Sequence, residues 1–127
     1  MDNLQATLPL CPLDELSNPG SRGFRLSEGN QTMELFVVRR DGRVYGYLNT
    51  CPHTGAPLEW MPDRFLDITA SLIQCALHGA LFGIEDGRCL RGPCLGQRLL
   101  PIKVAVRDGD VVLTDTAAAR AAWRSRW

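Results

Sequence analysis

Long apolar runs are missing from this chain, and none approaches the roughly 20 residues that a membrane-crossing helix requires. The N-terminus also lacks the basic and apolar stretch of a secretory leader, so a cytoplasmic protein with no membrane association is expected. Neither sign of charge is in excess, with fourteen basic and fourteen acidic residues. That balance leaves no polyanion-binding stripe and argues against nucleic acid as a partner. There is no glycine-rich phosphate loop, which excludes a nucleotide-binding reductase within the same chain. Internal repeats and low-complexity linkers are absent too, and 127 residues suit one domain with a modest core.

Helical periodicity is another absence, because no sustained period appears before residue 114. The segments Met33 to Arg39 and Arg43 to Leu48 instead flank Asp41-Gly42, a two-residue hairpin signal. Val104 to Arg107 and Val111 to Leu113 flank Asp108-Gly109-Asp110 in the same manner, and Asp86-Gly87 marks a further turn. The chain is therefore expected to be all-β and antiparallel. Asn30-Gln31-Thr32 matches a glycosylation sequon but reads as an ordinary turn in the absence of a secretory route. From Asp115 onward, alanines interleaved with Arg120, Arg124 and Arg126 predict a short helix over about 115–127, capped by Thr114 or Asp115. Trp123 and Trp127 offer it a means of docking on the domain or on a partner.

Histidine is scarce, and its placement is informative. The two histidines lie in Cys51-Pro52-His53 and Cys75-Ala76-Leu77-His78, which also hold two of the five cysteines. A thiolate and an imidazole two or three residues apart reach one centre only if the backbone turns tightly, which Pro52, Gly55 and Gly79 permit. Either pair alone is commonplace, since free cysteine is usually a small core hydrophobe and a lone histidine a satisfied core or surface group. Both pairs together make a metal-ligand pattern. Two cysteines and two histidines suit tetrahedral zinc or an iron–sulfur cluster. Zinc fingers supply like ligands from each arm, whereas each arm here supplies one of each kind, which favours a cluster.

These four positions resemble the pattern of the Rieske [2Fe-2S] family, Cys-x-His followed after a long connection by Cys-x2-His. The likeness extends from Val44 through Leu58, from Cys75 to Phe82, and on to Gly92-Pro93, where the family places a loop that covers its cluster. Leu95 to Val106 resembles the strand that leads back into the base. The resemblance implies a barrel-like or sandwich base, about 1–45 and 97–113, carrying a smaller cluster-binding unit of about 46–96. It also implies that Cys51 and Cys75 hold one iron and His53 and His78 the other. The implied work is one-electron transfer between a separate reductase and an acceptor such as an oxygenase, as in a small stand-alone ferredoxin. A fixed accessory subunit of a larger redox enzyme is the alternative, with a structural zinc module behind it.

No catalytic residues are expected, because with both histidines committed none remains for a mononuclear iron site of the oxygenase type. The chain is thus not expected to act as an enzyme alone. Ala56 and Leu77 stand where the respiratory members of the family carry a disulfide, and Ala80 and Phe82 where they carry a serine and a tyrosine that donate to cluster sulfur. Losing those donors implies a low-potential centre. Cys89 and Cys94 straddle Gly92-Pro93 without a Cys-x2-Cys continuation and read as spectators, their disulfide disfavoured in a reducing cytosol. Cys11 reads as a buried or terminal thiol. Leu58, Trp60, Leu81, Phe82 and Pro93 read as core-type residues, some of them shielding the centre. The connection between His53 and Cys75, which contains Trp60, Met61 and Phe65, is longer than in compact members.

Overall fold

A computed structural model describes residues 7–52, 54–77 and 79–126. His53, His78 and Trp127 lie outside the described residues. The fold is built on the hairpin expected at Asp41-Gly42, where β3 (Gln31–Arg40) turns into β4 (Arg43–Leu48) and Asp41 adopts φ 57°. Before it runs β2 (Gly20–Glu28), paired along its whole length with β3 from Gly20↔Arg39 to Glu28↔Gln31. A short strand β8 (Pro101–Ile102) adds to the far side of β4, giving the order β2-β3-β4-β8.

The side-chain period of two turns this sheet into a wall between two cores. Met33, Leu35 and Val37 of β3, with Leu48 of β4, point into one; Phe36 and Val38, with Tyr47, point into the other. The register makes the faces coherent, since Phe36 opposes Tyr47 and Leu35 opposes Leu48. The first core is closed by a second sheet in which β10 (Asp110–Leu113) lies between β1 (Leu8–Pro12) and β9 (Val104–Arg107). Cys11 is buried in this core, opposite Val111. The helix α1 (Thr116–Ser125) is capped by Asp115, whose carboxylate accepts from the Ala118 N–H, and it lays Ala119, Ala122 and Trp123 on the same core. Docking through Trp123 is what holds so short a helix.

The second core receives a small third sheet, β5 (Ile73–Gln74), β6 (Leu81–Phe82) and β7 (Cys89–Arg91), in that order. The long connection after residue 53 is ordered by this core: the Phe65 ring stacks on Phe36 at 4.3 Å between centroids and 6° between planes. Its flank also covers the outer edge of β2, where the Gly23 N–H donates to the Asp63 carboxylate (2.8 Å) and the Ser21 hydroxyl to the Asp63 carbonyl (2.7 Å). Covering the edge removes a site for adventitious strand pairing.

Several expectations need correction. Trp60 is 47% exposed and Pro93 is exposed, so neither belongs to the core; the Trp60 indole N–H donates to the Leu66 carbonyl. The segment Leu95 to Val106 is not one strand, since β8 and β9 are short pieces and Leu95 to Leu100 is turn and irregular chain. Asp110 begins a strand rather than completing a turn, because Asp108 and Gly109 alone, at φ 52° and 83°, close the hairpin. The long strand β2 has no counterpart in the sequence reading, because Gly20, Gly23 and two arginines break its apolar alternation. Replacing Phe65→Ala removes a fully buried ring from the second core and is expected to cost about 3–5 kcal/mol, read as a lower urea midpoint with an unchanged slope.

Candidate metal centre

The first of the two candidate ligand loops leaves the end of β4 through Asn49 and Thr50 and turns sharply after Cys51. The Gly55 N–H donates to the Cys51 carbonyl (2.7 Å), and the Cys51 N–H to the Ala56 carbonyl (2.8 Å). The second loop, between β5 and β6, repeats the arrangement: the Gly79 N–H donates to the Cys75 carbonyl (3.0 Å), and the Cys75 N–H to the Ala80 carbonyl (2.9 Å). Both turns need a residue in the left-handed region at the fourth position after the cysteine, which Gly55 (φ 79°) and Gly79 (φ 68°) supply. The two cysteines therefore sit in equivalent backbone frames, although their histidines follow at different offsets.

Leu58 joins the loops. The buried Leu58 N–H donates to the Asn49 side-chain carbonyl (2.8 Å), tying the end of the first loop to its beginning. The Leu58 carbonyl accepts from the Ala76 N–H (2.9 Å), tying it to the second loop directly after Cys75. Asn49 in turn donates to the Glu59 carboxylate (2.9 Å). This buried asparagine is a positioning residue that the sequence reading did not single out; a lone Asn before a turn is too common a signal to find it.

Cys51 and Cys75 are both buried and belong to one apolar cluster with Leu58, Ala80, Phe82, Cys89 and Cys94. No disulfide joins any of the five cysteines. The Cys94 thiol is pushed up to about 12, first by burial, then by its contact with Cys89 and by Cys51 nearby. Cys11, in the other core, has its thiol raised mainly by burial. Ala80 and Phe82 are buried and bring no polar group to the cluster side of β6. Tyr47, a buried phenol of the sheet wall, donates to the Ile84 carbonyl at 2.6 Å, and burial raises its hydroxyl well above the ordinary range.

The arrangement suits an iron–sulfur group. Two buried thiols share one dry cluster, and a bound metal stabilises such thiols in the thiolate form. The Thr50 hydroxyl beside Cys51, 1% exposed, has no hydrogen-bond partner among the described residues. Buried polar atoms are rarely left so unless a bound group or water completes them. Leu77, inside the second loop, and Leu95, in the turn after Cys94, project into solvent close in sequence to these cysteines. Replacing Asn49→Leu strands the buried Leu58 N–H at a cost of about 1–3 kcal/mol and unties the first loop. The expected readout is faster iron loss to a chelator at unchanged secondary structure by circular dichroism.

Comparison with known proteins follows the same lines. The ferredoxin of carbazole 1,9a-dioxygenase from Nocardioides aromaticivorans IC177 superposes with a TM-score of 0.68 at 23% identity, covering 87% of this chain and 98% of that one. The ferredoxin of Sphingomonas yanoikuyae B1 gives 0.63 at 24% identity, covering 87% and 99%. A chain from a complex of reduced oxygenase and oxidised ferredoxin in carbazole 1,9a-dioxygenase gives 0.68 at 26% identity, covering 87% and 94%. No curated protein matches the chain by sequence. The Rieske [2Fe-2S] domain model matches residues 6–114, which include every described strand. On that match, and with a fold shared with ferredoxins, the chain belongs to the Rieske [2Fe-2S] domain family and its cofactor is a Rieske-type [2Fe-2S] cluster.

Proposed function

We propose that this protein is a low-potential, one-electron carrier of the cytoplasm, in which Cys51 and Cys75 hold one iron and His53 and His78 the other. The observation that carries the assignment is the repeated turn: two buried cysteines in equivalent hydrogen-bonded frames, joined through Leu58. The histidines follow on these same turns in the sequence. When bound, the cluster supplies a site that accepts and returns one electron, made easier to reduce because two neutral imidazoles replace two thiolates. The chain's residues set how easily. Leu58 and Phe82 exclude water from the cysteine side, while Ala80 and Phe82 offer no donor to stabilise added negative charge. The potential is therefore expected in the lower part of the family span of about −150 to +300 mV, and a value above about +200 mV contradicts the reading.

A separate reductase and an acceptor such as an oxygenase are the partners this reading supplies. Support comes from the size match to stand-alone ferredoxins and from a structural relative seen in complex with an oxygenase. Leu77, in the second ligand loop, and Leu95, next to Cys94, are exposed apolar side chains of the kind transient partners use. The cluster-binding unit of about 46–96 then serves as the reactive end, with 1–45 and 97–113 as its support.

Anaerobic purification should give a red-brown protein that bleaches with dithionite and gains a rhombic paramagnetic signal, with two irons and no zinc per chain expected from the cluster's composition. A zinc-loaded, colourless protein that also resists iron reconstitution contradicts the proposal. Replacing His78→Cys is expected to lower the midpoint potential, since a charged ligand replaces a neutral one; an unchanged value removes His78 from the ligand set. Phe82→Tyr introduces the donor expected of the respiratory members and is expected to raise the potential by on the order of 60 mV, equivalent to about 1.4 kcal/mol for one electron.

A further inference from the structure

Cys89 and Cys94 are not isolated thiols. The Cys94 S–H donates to the Cys89 sulfur at 3.1 Å, and the two are 5% and 1% exposed. They are fixed there by backbone: the Cys89 N–H donates to the Gln97 carbonyl (2.9 Å), and the Gln97 N–H donates to the Cys94 carbonyl (2.9 Å). The chain from 89 to 97 is thus closed at both ends with its two sulfurs facing each other. A disulfide has a sulfur separation of about 2.05 Å, so bond formation asks the two sulfurs to approach by roughly 1 Å. The pair belongs to the same buried cluster as Cys51 and Cys75. The loop also lies hard against the second candidate ligand loop, since a Cβ placed on Gly92 would come within 2.8 Å of the Ala80 Cα. Cys11 lies in the other core and does not compete for either sulfur.

We propose that Cys89 and Cys94 are a reversible dithiol–disulfide couple, a second redox site set beside the metal centre and oxidised by low-molecular-weight disulfides. Cys89 is the attacking sulfur, because it is the more exposed of the two, and Cys94, whose S–H already points at it, is placed to attack second. Its thiolate attacks one sulfur of the small disulfide, breaking that bond, releasing one small thiol and leaving a mixed disulfide on Cys89. Cys94 then attacks the Cys89 sulfur, forming the Cys89–Cys94 bond and releasing the second small thiol. The two protein sulfurs lose one electron each to the reagent, their two protons leave on the released thiols, and no further reactant is required. In a reducing compartment the dithiol is the resting form, and the disulfide forms when the thiol pool becomes oxidised. The inference does not depend on which residues hold the iron.

The test is an anaerobic incubation of the purified, cluster-loaded protein with hydroxyethyl disulfide, followed by alkylation in denaturant, tryptic digestion and mass spectrometry. Cleavage after Arg88, Arg91 and Arg98 should release Cys89–Arg91 joined to Gly92–Arg98, two hydrogens lighter than the separate peptides, while Cys11, Cys51 and Cys75 are alkylated. Dithiothreitol should return both peptides to the thiol form. The Cys94→Ser variant should stop at a reagent adduct on Cys89. Alkylation of all five cysteines after prolonged exposure overturns the proposal, as does a bond from Cys89 or Cys94 to any other cysteine. A Cys94→Ser protein that takes up no reagent at Cys89 overturns the order of attack.

Discussion

The metal centre depends on the backbone of Leu58. Its N–H is held by the side chain of Asn49, two residues before Cys51, and its carbonyl by the N–H of Ala76, directly after Cys75. Its own side chain is fully buried in the cluster containing both cysteines. Three groups of one residue thus fix the separation of two loops that lie far apart in the chain. The bonds are buried and therefore costly to leave unmade, which is why so small a set can hold two flexible turns in register. The turns add little freedom of their own, because each is closed by the same pair of backbone hydrogen bonds around its cysteine.

The wall formed by β3 and β4 explains how such a site is carried by a chain this short. A strand buried on both faces serves two cores at once, and here alternate residues of β3 do so. One core is stiffened by the second sheet and α1 and contributes nothing to the chemistry. The other is shared with the ligand loops, so the buried cysteines are part of the packing rather than an attachment to it. The extended connection after residue 53 fits the same scheme, with Phe65 stacked on Phe36 and Asp63 capping the open edge of β2. Trp60 and Met61 are left exposed on that excursion.

The environment of the cysteines is largely apolar. Ala80 and Phe82 present only carbon, and the remaining sulfur nearby belongs to Cys89 and Cys94, which bond each other. Reduction adds negative charge to the cofactor, and a surrounding without donors does little to stabilise it.

What the sequence by itself determined is local chemistry. The Cys-x-His and Cys-x2-His spacings, the glycines that permit their turns, the hairpins at Asp41-Gly42 and Asp108-Gly109 and the Asp115-capped helix all depend on residues within a few positions of each other. Propensity and motif spacing report on such short ranges. The tertiary structure alone decided the rest: that Asn49 and Ala76 meet on Leu58, that Cys94 faces Cys89, that Phe65 is core and Trp60 is surface, and that β2 is a full strand despite its glycines. These depend on strand register and on which surfaces are left for burial, quantities set by the whole chain at once, and a residue's identity carries no record of the partner it will find across the fold.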